Sequence, residues 1–342
     1  GAGHELLDIS FCNKIESENI PVYFTNEYQK IFADYDGSYP NILKVSKDSG
    51  TLYLPILIHP IADFFEAYTA YGYGGFWSEC GIVLNEEDLE QVKEFLRSQK
   101  IIDLFVRNSP FLENQRIIPD NYNSLNRITY IVNLSHEDSF ELFKARVNQK
   151  IRWAVNYAQR NRLLVEKRTY SEIRQEEIDA FYDIYLQTMK ARNAEDYYYF
   201  SKEFFLNHFE TLKDNCDLYL VKKDDEIIAG SLFLKDTRFV HYHFSAANID
   251  YYKFQPMDFL LLKAIFDYGN EGRQFMHLGG GLSLDTSDGL SKFKRKFADI
   301  EKRFYISKIL IDGERYRSLR ELYEVEQSSL FLIKDSLSKI KN

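Results

Sequence analysis

Cysteine is scarce in this chain: Cys12, Cys80 and Cys216 are the three in 342 residues, far apart and without CxxC spacing. That scarcity argues against a disulfide framework and a zinc site, no metal-ligand spacing is seen, and a reducing compartment fits. No apolar run reaches the roughly 18 residues that span a bilayer, and no signal-peptide pattern is seen, so a cytoplasmic setting with at most peripheral membrane contact is the expectation. Net positive charge is missing as well. The 43 Lys and Arg stand against 52 Asp and Glu, a net charge of −9, which argues against a protein coating DNA or RNA over a broad basic surface but leaves room for a local basic site. Linkers and low-complexity tracts are absent too, so the two halves of the chain are expected to pack intimately.

What is present is a large apolar fraction, 45%, enough for a sizeable core, and 25 Tyr with 27 Phe. Such aromatics either line pockets or pack strands. The length fits two domains or one elaborate α/β body. Gly1-Ala2-Gly3-His4 reads as an expression-tag remnant, outside the fold.

Residues 41–45 and 51–58 read as a hairpin around Asp48-Ser49-Gly50, followed by Tyr71-Gly72-Tyr73-Gly74-Gly75-Phe76. The periodicity predicts a helix over 85–98 and strands over 101–106 and 128–134. Strands alternating with helices predict an α/β (α+β) fold. A long helix is expected over 138–161, its apolar stripe formed by Phe143, Val147, Ile151, Ala154 and Ala158. A neighbouring face carries Arg146, Lys150, Trp153, Tyr157 and Arg160, and 144–162 holds six Lys/Arg and no acid. The second half repeats the plan: helices over 171–191 and 201–213, strands 218–222 and 227–234 around Lys223-Asp224-Asp225-Glu226, and a strand over 239–245. An apolar helix over 257–268, a strand over 273–278 running into Gly279-Gly280-Gly281, a basic helix over 290–297, a strand over 302–310 and a C-terminal helix complete it. The division is expected near 165, giving domains 5–165 and 166–342.

Several pieces recur in a telling order: Asp217 to Lys222, Glu226-Ile227-Ile228-Ala229-Gly230, Tyr242-His243-Phe244-Ser245-Ala246, Leu278-Gly279-Gly280-Gly281, then Asp288-Gly289-Leu290 closing on Phe293-Lys294-Arg295-Lys296-Phe297. With the Tyr71–Gly75 turn and Thr188-Met189-Lys190-Ala191-Arg192, this set resembles the FemAB (peptidoglycan-bridge) aminoacyltransferases and their GNAT-like relatives over roughly residues 40–305. The resemblance implies two tandem GNAT-like domains, each a mixed central sheet flanked by helices. It also implies acyl transfer to an amine, in FemAB proteins from aminoacyl-tRNA to a peptidoglycan precursor. By motif, Phe293 and Lys294 match the family's reaction-centre pair. Arg192 and Tyr242 match acceptor-contacting positions. Tyr73, Gly279, Gly280, Gly281 and Asp288 join them as candidate substrate-binding residues.

The chemistry reads independently of that likeness. Aminolysis of an ester passes through an oxyanion, and Lys294 is a candidate to steady it. The alternative is a solvated helix face shared with Lys292, Arg295 and Lys296. The glycines either let backbone approach a ligand or form a plain turn. His243 or His277 is a candidate base or a buried structural histidine. Strand alternation turns Tyr242 away from His241 and His243, and the cleft is assigned to Tyr242. The basic faces at 144–162 and 292–303 suit a tRNA or a pyrophosphate-linked acceptor, or are solvated helix surfaces, and Trp153 with Tyr157 adds a possible stacking surface for bases.

Two departures matter. Tyr252-Lys253-Phe254-Gln255-Pro256-Met257 stands where acetyl-CoA-dependent GNATs cradle pyrophosphate, yet it lacks glycine and Pro256 lacks an N–H. The long helical hairpin inserted in some FemAB members is missing. The leading expectation is therefore amide formation with no resident cofactor. The donor is a co-substrate, aminoacyl-tRNA ahead of acyl-CoA, and the acceptor is an amine of a cell-envelope or surface-glycan precursor, small or lipid- or nucleotide-linked; DNA is not a partner. The alternatives are an acyl-CoA-dependent N-acyltransferase of an amino sugar or small amine, and a non-catalytic GNAT-like binding module.

Overall fold

The computed structural model describes residues 5–341; the Gly1–His4 stretch read as a tag remnant lies outside them. In chain order come β1 (Asp8–Cys12), α1 (Asn26–Asp36), β2 (Tyr39–Lys47), β3 (Gly50–Ile61), β4 (Phe64–Tyr68), α2 (Glu86–Ser98) and β5 (Ile101–Arg107). Then follow β6 (Asn123–Asn133), α3 (Phe140–Arg146), α4 (Gln149–Arg160), β7 (Leu163–Arg168), α5 (Gln175–Ala191) and α6 (Lys202–Leu212). Next are β8 (Cys216–Lys223), β9 (Glu226–Lys235), β10 (Phe239–Ala247), α7 (Pro256–Asn270), β11 (Phe275–Gly280) and α8 (Gly289–Phe297). The chain closes with β12 (Ile300–Leu310), α9 (Gly313–Leu322) and α10 (Ile333–Lys341). No helix among the described residues is long and apolar enough to cross a membrane.

These elements form two compact units. One runs up to Arg127 and resumes at Arg303; the other spans Ile128–Lys302. The passages between them fall within β6 and β12. Residue 165, where the sequence places the division, lies in the middle of β7 and inside the second unit.

In the first unit the strand order is β1-β2-β3-β4-β5-β12, antiparallel except for the parallel β4–β5 pair. The expected hairpin is there and longer, its register running from Tyr39↔Ile58 to Lys47↔Gly50. Helix α2 starts where a capping box predicts it: Asn85 accepts from the Asp88 amide and Asp88 reaches back to the Asn85 amide. Its Leu89, Val92 and Leu96 join Leu54, Ile56, Leu104 and Val106 in one core.

The second unit repeats the device. Its order is β6-β11-β10-β9-β8-β7, again antiparallel except for one pair, β10–β11, bridged by α7 as β4–β5 is bridged by α2. Parallel neighbours need a crossover, and a helix buries its apolar face on the sheet while making it. Leu260, Leu261, Ala264 and Ile265 of α7 do so against Tyr219, Phe233 and Met276. Each unit is thus a mixed sheet flanked by helices, the α/β architecture that the alternation predicted.

The helix expected over 138–161 is two helices. Val147 is extended, and Asn148 begins again as an N-cap whose side chain accepts from the Lys150 amide. Asn competes for backbone hydrogen bonds and favours caps over helix interiors. Arg152 then takes the carbonyls that α3 leaves open, donating Nη1 to Val147 O at 2.9 Å and Ala145 O at 3.2 Å. The single C-terminal helix is likewise two, α9 and α10, and the sequence reading did not identify β1, α1, β4 or β7.

The β8–β9 hairpin turns on Asp224 and Asp225, with φ of 49° and 67°. That is the left-handed pair of a two-residue hairpin turn, which Asn-Gly suits best. Asp225→Gly should therefore raise unfolding free energy by about 0.5–1 kcal/mol in urea titrations, with no change in m-value.

Candidate active site

Strands β10 and β11 pair in parallel over three residues, Phe239↔Phe275 to His241↔His277. Just beyond, β10 is irregular between Tyr242 and Phe244 against β9, and β11 between His277 and Gly279 against β6. Bulges bend and twist a strand. Two parallel neighbours bulged at the same level splay apart at their carboxyl ends, where ligands of α/β sheets bind.

Helix α8 closes one side of this wedge. The sequence places Gly279 and Gly280 in a turn; they are strand residues, held opposite Tyr130 and Thr129 of β6, with the bulge absorbed by Gly279 at φ +76°. Gly281 is the residue that must be glycine: a Cβ there would lie 1.8 Å from Ser291 Oγ and 2.8 Å from Asp288 Oδ1. Asp288 itself caps α8, accepting from the Ser291 amide at 2.9 Å and the Ser291 hydroxyl at 2.7 Å. Its carboxyl sits below the usual range; against the opposing pull of burial, the Ser291 hydroxyl and amide favour the ionised form. So Asp288, assigned to substrate by motif, fastens the helix to the glycine strand.

One turn further on, Lys294 is 8% exposed and donates Nζ–H to Gly280 O at 2.7 Å. It is a buried ammonium fixed to the strand end, not part of a solvated face. Phe293 beside it leans on Phe297, ring centroids 5.4 Å apart, at the edge of the unit's core. On the same helix Lys296 pairs with Asp258, which is buried in the first turn of α7. Burial still pushes the Asp258 carboxyl up, against the pull of Lys296.

Tyr242 stands on the β10 side, 5.6 Å from the Phe233 ring. Burial pushes its phenol up to about 12, opposed by a hydrogen bond with Ser245 and by the nearby charge of Arg192, and Asp258 is close enough to act on it too. It is therefore a neutral donor at physiological pH. Arg192 is exposed at the end of α5, whose last turn meets the end of β10: Thr188 Oγ1 donates to Ile184 O at 2.9 Å and lies 3.3 Å from Ala247 O. Tyr242, Arg192, Lys294, Phe293, Gly279, Gly280, Gly281 and Asp288 thus belong to the carboxyl ends of β10 and β11 and the elements beside them.

Tyr73 belongs to the first unit. There it meets Phe304 at 5.0 Å and Tyr23 at 6.1 Å, around Arg107, whose guanidinium lies 4.9 Å from the Phe304 ring and 5.4 Å from Tyr71. Arg107 Nε donates to Gly72 O at 3.0 Å, so the glycine-aromatic turn wraps a cation.

His243 turns toward α6, while His277 stays within reach of the Lys294 charge. His243 Nε2 lies 3.3 Å from His208 Nε2 of α6, and both rings are buried. Burial lowers His208 to about 4; burial, then His208 and His241, lowers His243, and burial, then the charges of His241 and Lys294, lowers His277. Neutral imidazoles this reluctant to protonate are poor general bases. Among the described residues no group of His, Cys, Asp or Glu is placed to hold a metal ion.

Sequence reasoning missed Ser291, His208 and the Asp258–Lys296 pair. The α8 start was findable, since Asp288 before a helix-forming stretch with Lys and Arg in its last turn is an N-cap pattern. The others join elements distant in sequence. Two outcomes follow. Gly281→Ala should loosen α8 and cost about 2 kcal/mol or more of stability, with recovery in the Gly281→Ala/Ser291→Gly double variant, read by urea unfolding. Stability should also fall as pH drops from about 6.5 toward 4, because the unfolded chain protonates His208 before the folded one does. That one group is worth roughly 3 kcal/mol, lost by the acid end, and His208→Gln should flatten this part of a pH–stability curve.

Residues 144–295 match the family model of an acetyltransferase (GNAT) domain. No curated protein sequence matches the chain. Among solved structures, the crystal structure of FemX aligns with a TM-score of 0.59 at 12% identity, covering 82% of this chain and 90% of FemX. The C-terminal domain of a putative lysylphosphatidylglycerol synthetase from Agrobacterium fabrum gives 0.51 at 15% identity, covering 78% and 84%. A conserved protein of unknown function from Bacteroides thetaiotaomicron gives 0.50 at 13%, covering 83% and 90%. At such identities the likeness is one of fold. The match over 144–295, on the unit that carries the buried lysine and the splayed strands, makes that unit a GNAT-type acyltransferase domain, and the chain shares its fold with FemX.

Proposed function

We propose that the chain forms amide bonds by moving an aminoacyl or acyl group from an activated ester co-substrate to an amine of a cell-envelope or surface-glycan precursor, acting in the cytoplasm without a resident cofactor. The observation that carries this reading is the buried Lys294 ammonium held on Gly280 O where β10 and β11 part. In the reaction the amine nitrogen bonds to the acyl carbon, the carbonyl oxygen takes negative charge, and the carbon–oxygen bond to the donor breaks. The proton shed by the amine passes to the leaving alkoxide. A cation already buried and oriented stabilises the oxyanion with little reorganisation. Positioning supplies much of the remaining rate, so no strong base is needed, in keeping with the neutral histidines.

The donor follows from charge. Phosphates bind helix N-termini through the exposed amides and the dipole. At α7 that place begins with Pro256 and holds the buried Asp258 with Lys296, so an anionic pyrophosphate would meet a carboxyl there. This disfavours acyl-CoA bound in that manner. On α4, Trp153 is 56% exposed and stacks on Tyr157 at 5.5 Å with planes 6° apart, between Lys150 and Arg160 on a helix without an acid. Stacked rings flanked by cations suit the bases and phosphates of a nucleic-acid carrier, which favours aminoacyl-tRNA. The family's acetyltransferase description supports acyl-CoA as the second reading.

Given a pool of radiolabelled aminoacyl-tRNA and an amine-bearing peptidoglycan precursor, the protein should form a labelled, base-stable amide. Lys294→Met should lower turnover by about 10²–10³-fold while leaving the thermal unfolding midpoint within a few degrees. Equal turnover in a folded variant removes Lys294 from the mechanism, and transfer from acetyl-CoA but not tRNA selects the second donor.

A further inference from the structure

Two carboxyl groups lie together in the interior of the first unit. Strands β4 and β5 run parallel with Glu66 registered against Asp103, and both residues are fully buried. Glu66 already has partners. Its Oε2 accepts the Ile333 amide and its Oε1 the Lys334 amide, each at 2.8 Å, so this strand residue caps α10 from 267 positions away. A helix N-terminus favours an anion, and that accounts for a charge on Glu66.

No such account exists for a charge on Asp103. The Ala67 amide is near enough to favour its ionised form, yet neither oxygen has a donor at good hydrogen-bond geometry, and its side chain lies against the Glu66 carboxyl. From β3, His59 stands in register with Glu66 but on the side of it away from Asp103, and the other neighbours are committed elsewhere. From α10, Asp335 adds negative charge, while the Lys334 ammonium is directed to Asp335 at 2.9 Å and over the Tyr68 ring at 4.4 Å. From α9, Tyr316 packs here, with Arg320 Nη1 on its hydroxyl at 3.3 Å and otherwise committed to the carbonyls of Val325, Ser328 and Leu330. Arg315 covers Phe64, and Tyr68 of β4 donates to Asp36. Two ionised carboxylates in this enclosure would repel with no cation between them, whereas one proton makes Asp103 a donor and Glu66 its acceptor.

We propose that Glu66 and Asp103 share a single proton that latches α10 to the sheet: with the proton present the pair holds the helix, and its loss on raising pH releases the helix reversibly. The sign follows from the proton count. Burial, then Glu66, pushes Asp103 well above the ordinary aspartate range. The folded state therefore holds a proton that the unfolded chain has already lost, and this part of the structure weakens as pH rises from the ordinary aspartate value through the folded one. Nothing in the latch depends on the acyl-transfer chemistry.

Hydrogen exchange of the full-length protein, corrected for the intrinsic chemical rate at each pH, tests it. Between pH 6 and pH 9 the amides of 336–339 should lose at least tenfold protection while those of β2 and β3 keep theirs. Asp103→Asn, whose amide N–H is a permanent donor to Glu66, should keep α10 protected at both values. Glu66→Gln should leave it unprotected already at pH 6. Difference infrared spectra of the wild-type protein should show a protonated-carboxyl stretch that disappears with the same midpoint, a reading that needs no variant. Protection of α10 unchanged to pH 9, equal loss in Asp103→Asn, or no protonated carboxyl at pH 6 would each overturn the latch.

Discussion

The candidate site rests on one close approach, the backbone of Gly281 pressed against the Ser291 hydroxyl and the Asp288 cap. Because no Cβ intervenes, α8 sits one atom nearer to the end of β11 than any other residue at 281 would allow. That distance lets Lys294 reach Gly280 O from inside the protein instead of extending into water. A lysine loses conformational freedom and hydration on burial, and a carbonyl fixed by sheet register offsets part of that loss. The cation is thereby available in one orientation, the condition under which it can act on a developing charge.

Electrostatic arrangement around the wedge is consistent with this. The positive groups come from α5 and α8, as Arg192, Lys294 and Lys296, while the titratable partners beside them are biased toward neutrality: Tyr242 by burial, Asp258 by burial despite Lys296, and the imidazoles by loss of water. Chemistry in such a place depends on fixed dipoles and fixed positive charge more than on proton shuttling. The first unit shows the same parallel strand pair with a helical crossover, yet there the buried groups are Glu66 and Asp103. One backbone plan thus hosts a buried cation in one unit and a buried acid pair in the other.

Much of this was legible in the amino-acid order. The hairpins at 47–50 and 223–226, the α2 cap and the α7 stripe follow from turn chemistry and periodicity acting over a few residues. The set from Tyr242 to Lys294 named the strands and helix that come together, because their spacing is carried in the chain. What escaped depends on neighbours remote in sequence or on single residues that redirect a pattern. Asn148 breaks a helix whose stripe continues unbroken on either side. The extra residue in β10 and the curl at Gly279 are set by strand register, which alternation alone does not encode. Asp258 with Lys296, and His208 with His243, pair across 38 and 35 positions. For Asp288 the motif is visible, whereas its capping of α8 is a matter of geometry.

The split of the first unit has a bearing on how the molecule is made. Residues 128–302 form a continuous insertion, and the part of β12 that pairs with β5, Ile306–Leu310, is synthesised after all of it. Domains tend to fold as units while the chain is still growing. The acyltransferase unit can therefore settle on the ribosome before its host, whereas β5 must wait with one edge uncovered until β12 emerges. The helices that follow β12 then cover the strands left waiting, so the host closes after its insertion has been made.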